Sequence, residues 1–185
     1  MTCIVGIEVE EGIYIGGDSQ GSNGYTTRAV STKKVFKTGK FVIGYTDSFR
    51  LGQLLEQNLV VSDQEENVED LRYIITVFIP ALRECLIDGG YCRIKDNAEH
   101  GGTFLVGYKG SLYKVQNDYG VLTFSDGICA VGCGTTYALA SMYTSMLLGQ
   151  VDDPVKVIHT ALDTASYLSE GVAPPYTIEY QVKEK

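Results

Sequence analysis

Two runs of strand-like segments, each followed by a pair of helix-like segments and the second by one more strand, constrain the fold of this 185-residue chain most strongly. Residues 3 to 9 and 12 to 17 are β-rich and flank Glu10-Glu11-Gly12, which reads as a hairpin with an acidic, exposed turn. Residues 18 to 32 are polar and glycine-containing, and Lys34 to Phe36 and Lys40 to Tyr45 then form a second hairpin around Thr38-Gly39. Ser48 is placed to cap a helix through Phe49, Leu51, Leu54, Leu55 and Leu59. Asn67 is placed to cap a longer one, with Leu71, Ile74, Phe78, Leu82 and Leu86 in its apolar stripe, Pro80 as an expected kink and Gly89-Gly90 as its stop. From Thr103 strands return at Phe104 to Tyr108, Leu112 to Asn117, Gly120 to Phe124 and Ile128 to Val131. Thr135 starts a helix through Leu139, Met142 and Met146, Asp153-Pro154 opens another, and Tyr176 to Val182 alternates as a last strand. Each sheet has two apolar faces to cover, so the expected class is α+β, with two stacked, mainly antiparallel sheets and helix pairs outside, in one domain over residues 1 to 185.

At 44% hydrophobic and 21% charged residues the composition is that of a globular chain. A net charge of −8 with no basic block argues against a nucleic-acid binder and for protein or peptide partners. Cys3, Cys85, Cys92, Cys129 and Cys133 show neither a CxxC pair nor zinc spacing, so they read as small hydrophobes in a reducing compartment, and a cytoplasmic location is expected. The first residues lack the basic and apolar regions of a signal peptide, and no 18-residue apolar run suggests a membrane span. No P-loop, dinucleotide fingerprint or metal-spaced cluster occurs, so neither cofactor nor metal is expected.

Thr2 carries the chemistry. By position alone it merely starts a strand. If Met1 is removed, however, it gains a free α-amine beside its own hydroxyl, which places nucleophile and base in one residue. A threonine hydroxyl is too weakly acidic to attack a peptide unaided, whereas an α-amine of pKa roughly 8 can take its proton near neutral pH. Met-Thr is a small-residue junction of the kind methionine aminopeptidases accept, so no longer propeptide is required. Asp18 and Lys34 follow at 16 and 32 residues from Thr2.

Thr2-Cys3-Ile4-Val5-Gly6-Ile7, Gly16-Gly17-Asp18-Ser19-Gln20, Lys33-Lys34-Val35, Phe41-Val42-Ile43-Gly44 and Ala130-Val131-Gly132-Cys133-Gly134 together resemble the proteasome β-subunit and HslV family of N-terminal-nucleophile hydrolases. The resemblance covers nearly the whole chain and keeps the family's order. It implies a four-layer αββα sandwich and a threonine-type endopeptidase with Thr2 as nucleophile. It further implies Lys34 as the active-site lysine, Asp18 as its carboxylate partner, and Gly44 as the backbone oxyanion donor. Gln20, Ser31 and Val42 fall near the first specificity pocket of relatives. Cys133 stands where the family commonly has a serine that touches the nucleophile's amine, Ser169 matches a second active-site serine, and Ser166 replaces an aspartate. Relatives act on peptides or unfolded proteins, form rings and use an ATPase unfoldase, so a homo-oligomer with such a partner is implied. A small-amide amidohydrolase on the same fold, or an inert structural subunit that retains Met1, are the alternatives.

Other nucleophiles fare poorly. Only His100 and His159 could serve a Ser/His/Asp triad, one in a polar loop and one in an amphipathic helix. Cys3 could act only if trimming went one residue further.

Overall fold

A computed structural model describes residues 1–184. The N-terminal alternation folds as expected: β1 (Cys3–Val9) and β2 (Gly12–Gly17) pair antiparallel across the acidic turn. The polar stretch that follows carries a short hairpin, β3 (Gln20–Ser22) and β4 (Thr27–Ala29), which three-residue strands are too brief to signal in sequence. The second expected hairpin is β5 (Val35–Thr38) with β6 (Phe41–Tyr45).

Ser48 caps α1 (Phe49–Gln57), its hydroxyl accepting from the Arg50 amide. The longer helix starts later than expected. Asn67 sits in a left-handed turn with φ of 71°, and Glu69 precedes α2 (Asp70–Tyr73). At the expected disturbance, the stretch before Pro80 widens into a π-helical segment, Ile74–Phe78, which continues into α3 (Ile79–Asp88). Proline lacks the amide for an ordinary helical bond and its ring crowds the preceding turn, and a π turn relieves both. The chain then makes a hairpin, β7 (Arg93–Lys95) and β8 (Ala98–His100), where the sequence predicts a polar loop around His100. β9 (Phe104–Tyr108), β10 (Ser111–Val115), a shortened β11 (Val121–Leu122) and β12 (Ile128–Gly132) follow, then α4 (Thr135–Leu147), α5 (Pro154–Leu168) and β13 (Thr177–Val182).

The strands form a four-stranded sheet ordered β12-β1-β2-β13 and a five-stranded sheet ordered β11-β10-β9-β6-β5. Alternation assigns their faces. Cys3, Val5 and Ile7 pack under Ile158, Ala161 and Leu162 of α5. Their neighbour Ile4, with Ile13, Ile15, Val35, Leu105 and Val131, fills the space between the sheets. Phe41, Ile43 and Tyr45 pack on the other side against Leu51, Leu54, Phe78 and Leu82 of the first helices. Helix pair, sheet, sheet and helix pair are thus stacked as four layers. No helix among the described residues is long and apolar enough to cross a membrane.

The antiparallel ladders also fix where segment ends meet. The start of β1 lies beside the end of β2 and the end of β12, with Ile4 opposite Gly17 and Cys3 opposite Gly132. The start of β5 lies beside the end of β6, with Val35 opposite Gly44.

Candidate active site

Those ends bring together residues far apart in sequence. Thr2 precedes β1, Asp18 follows β2, Lys34 precedes β5, Thr46 follows β6, Cys133 follows β12 and Ser169 caps the C-terminus of α5. Thr2 is buried, and its carbonyl accepts from the Cys133 amide at 2.8 Å. Gly132 makes that contact possible: its φ is 99°, and a β-carbon there would strike the Thr2 carbonyl.

Asp18 and Lys34 form a buried ion pair, their side chains 0% and 2% exposed. The Lys34 ammonium donates to both Asp18 oxygens, at 3.0 and 3.1 Å, and to the Gln20 carbonyl at 2.7 Å. Asp18 also accepts from the amides of Cys3 and Gln20, each at 2.9 Å. Its lone pairs are therefore occupied, the condition under which a buried pair repays its desolvation. Burial pulls the Lys34 pKa below the usual lysine value, and the Asp18 carboxylate opposes that pull.

The Thr2 hydroxyl donates to the Met1 carbonyl oxygen at 2.5 Å, and Lys34 Nζ donates to the same oxygen at 3.5 Å. One acceptor thus joins the hydroxyl of Thr2 to the ammonium of Lys34. On the other side, the Thr2 amide donates to Cys133 Sγ at 3.3 Å, and Ser169 Oγ approaches that sulfur at 3.8 Å. Thr2, Asp18, Lys34, Cys133 and Ser169 are accordingly connected through hydrogen bonds within one site.

Gly44 is not part of it. It lies inside β6, paired with Val35 on one side and Leu105 on the other. Tyr45 donates its amide to the Lys34 carbonyl, so the preceding Gly44 amide turns towards β9 and is used by the ladder. A β-carbon at Gly44 would lie 2.5 Å from Ile4 Cγ2 and 2.9 Å from Ile15 Cγ2, which makes this glycine a packing requirement between the sheets. Gly44→Ala is therefore expected to destabilise the fold by about 1–3 kcal/mol, the usual range for overpacking, measurable by chemical denaturation. A loss below 0.5 kcal/mol would argue against this assignment.

Other expectations need similar correction. Val42 is buried in the inter-sheet core and lines no substrate pocket, and Ser31 is exposed. Gln20 belongs to the site as a brace, its side-chain amide donating to the Glu170 carbonyl at 2.7 Å. Cys3 is fully buried, and burial and the Asp18 carboxylate push its thiol up to about 12, the opposite of an activated thiol. Cys133 is exposed, unlike a core cysteine. His159 is exposed on α5 beside Tyr176, and His100 lies on β8 against Asn117.

The sequence reading missed the turn after β6. The β-carbon position of Gly132 is 3.4 Å from the Thr46 methyl, so this turn flanks Thr2. Asp47 adopts φ of 67°, uncommon for a residue other than glycine, and Ser48 donates its amide to the Thr46 carbonyl at 2.9 Å. Among the described residues the Asp47 amide has no hydrogen-bond acceptor. The signal in sequence was slight: Thr46-Asp47-Ser48 reads only as the approach to a helix cap.

No protein-family sequence model matches the chain, and no curated protein matches its sequence. Its likenesses are three-dimensional. The chain is similar to BPH of Thiobacillus denitrificans, at 18% identity over 99% of both chains with a TM-score of 0.81. That protein is also known in complex with epoxomicin. It is similar to the eukaryotic HslV of Trypanosoma brucei, at 19% identity over 97% of this chain and 98% of that one, with a TM-score of 0.67. A third likeness is to Anbu, an ancestral β-subunit, from Yersinia bercovieri, at 16% identity over 98% of this chain and 82% of that one, with a TM-score of 0.66. The fold is therefore the α+β sandwich of HslV, as the sequence implied.

Proposed function

We propose that the chain is a proteasome-like threonine peptidase that becomes active when Met1 is removed. The observation that carries this reading is the joint approach of the Thr2 hydroxyl and the Lys34 ammonium to one carbonyl oxygen, with Lys34 held by a buried, fully bonded Asp18. Cleavage after Met1 takes that carbonyl away with the methionine and converts the Thr2 amide into a primary amine. The freed amine accepts the proton of Oγ1 as the oxygen attacks a substrate carbonyl carbon. The developing oxyanion is met by a backbone amide, and the Asp47 amide is the candidate donor in the flanking turn. The amine then returns its proton to the departing peptide nitrogen, leaving an ester on Thr2 that water hydrolyses with the same amine as base. Lys34 is the electrostatic partner of Oγ1, and Asp18 positions Lys34.

The test is an intact mass of protein purified without an N-terminal tag, combined with labelling by an epoxyketone such as epoxomicin. That warhead needs a hydroxyl and a free amine on one residue. Loss of one methionine and an adduct mapped to Thr2 are the expected results. Retained Met1 with no adduct would replace this reading with that of an assembly subunit.

Cys133 sets the rate within this scheme. A thiol is a poorer hydrogen-bond partner for the Thr2 nitrogen than a hydroxyl, and its sulfur now lies at 3.3 Å. Cys133→Ser is expected to raise kcat about 2- to 10-fold, the equivalent of one neutral hydrogen bond of about 0.5–1.5 kcal/mol. Steady-state assays of both proteins on one peptide would show it, and an unchanged or lower kcat would count against a role for this contact.

The proposal extends to assembly. Helical assembly is described for the Anbu complex from Pseudomonas aeruginosa, another structural neighbour. A homo-oligomer that encloses the Thr2 edge, served by an ATPase unfoldase, is the arrangement this reading favours.

A further inference from the structure

The hairpin β7–β8 and the turn after β6 border a half-open cavity of about 640 Å³, whose Asp47 and Thr103 adjoin Thr46 and, through it, the Thr2 backbone. Its charge is unusual for this protein. The chain has 23 acidic and 15 basic residues, yet Arg93, Lys95 and His100 all line this one cavity. The hairpin's register explains their convergence. Arg93 and Lys95 are two apart on β7 and share a face, and His100 lies directly opposite Arg93. The turn between the strands is Asp96-Asn97, both left-handed with φ of 51° and 63°. The opposite face presents Glu99, which is held by the guanidinium of Arg83 on α3, so the hairpin is pinned with its basic face towards the cavity.

Hydrogen bonding leaves the two cations Arg93 and Lys95 available. Among the described residues neither Arg93 nor Lys95 forms an ion pair. Asn117 Oδ1 accepts from the Gly102 amide at 3.0 Å, which turns the Asn117 NH₂ to His100 Nδ1 at 2.7 Å. That bond makes Nδ1 the acceptor and leaves the ring proton on Nε2, so His100 adds a donor. The one carboxylate in the lining, Asp47, already accepts from the Thr103 amide at 3.1 Å and braces the wall.

This wall is shared with the nucleophile. Thr46 donates its hydroxyl to the Thr103 carbonyl at 2.7 Å while its methyl faces the Gly132–Thr2 contact. Thr46 thus lies between the cavity and the Thr2 backbone, the side on which a polypeptide crossing Thr2 can reach the basic hairpin. We infer that the cavity is a subsite for a carboxylate of the substrate, either an acidic side chain close to the scissile bond or a chain-terminal carboxylate. The inference rests on the peptidase reading for its place in turnover, but the anion site itself does not.

Two measurements test it. With Met1-free protein, kcat/KM is compared for peptides carrying Glu or Gln at each position flanking the cleaved bond, and for peptides ending in a carboxylate or an amide. The acidic form is expected to be preferred about 10-fold, as for a partly screened charge-assisted contact. The series that shows the preference identifies the carboxylate's source. The preference should fall to near unity in Arg93→Gln/Lys95→Gln and survive in Arg93→Lys. Equal cleavage of both forms, or a preference that the double variant does not move, would overturn the subsite. Binding of the same labelled peptides to Thr2→Ala, read by fluorescence anisotropy at low and high salt, separates the two ideas. If Thr2 forms no adduct, the peptidase reading fails, while charge-selective binding abolished in the double variant would still establish the anion site. Charge-indifferent binding beside a normal adduct would leave the peptidase and remove the subsite.

Discussion

Thr2→Ala is expected to reduce peptide hydrolysis by on the order of 10⁶-fold, the scale seen when a nucleophile that works as a unit with its base is removed. The folded state should hardly notice. The Thr2 backbone is held by the Cys133 amide at 2.8 Å, and the adjoining Cys3 amide is held by Asp18 at 2.9 Å, and neither bond uses Oγ1. Thr2→Ser retains the hydroxyl and should keep measurable turnover and the epoxyketone adduct. The informative comparison is therefore three proteins with matching thermal unfolding curves and widely separated rates. Alanine-variant activity within tenfold of the parent would exclude the Thr2 hydroxyl as nucleophile.

The second large effect concerns stability. Asp18→Ala leaves the Lys34 ammonium in a site only 2% exposed and strips two backbone amides of their acceptor. Breaking one partner of a buried pair costs about 3–5 kcal/mol, which for a chain of this size lowers Tm by roughly 6–20 °C. Lys34→Met leaves the opposite charge, but the two amides still bond Asp18, so its loss should fall at the lower end of that range. Combining Lys34→Met with Asp18→Asn should cost less than the sum of the single changes, because neither charge is then stranded. Additive losses would show that the two side chains act independently, contrary to their 3.0 Å contact. Activity would be lost in every one of these proteins, so the denaturation cycle is the discriminating measurement.

The site was legible in sequence where chemistry coincides with a strand end. Thr2 stood out by its place behind Met1, whereas Asp18, Lys34 and Cys133 were legible only through the resemblance, and each of the four adjoins a strand end. Gly44 misled because it is also a glycine in a strand, and sequence does not distinguish a glycine needed for close approach of substrate from one needed for close approach of Ile4 and Ile15. The turn at Asp47 was hidden by the helix it precedes, since Ser48 gave a sufficient reason for the local sequence. The hairpin holding Arg93 and Lys95 was hidden by length. Three residues per strand show too little alternation, and Asp96-Asn97 lacks the glycine that usually marks a two-residue turn. Pro80 was legible as a disturbance of one continuous helix, and a π turn takes it up while Ile74 and Phe78 stay in the core.

The spacing of the site along the chain has a consequence for its timing. Thr2 is fixed by Cys133, 131 residues later, and Gln20 by Glu170, 150 residues later. A ribosome that has released only the first half of the protein has made the proposed nucleophile and Asp18–Lys34 but not the segments that seat them. Chain entropy opposes such distant closures until the intervening layers have docked. On the proposed peptidase reading, the nucleophile is therefore seated only when synthesis is nearly complete.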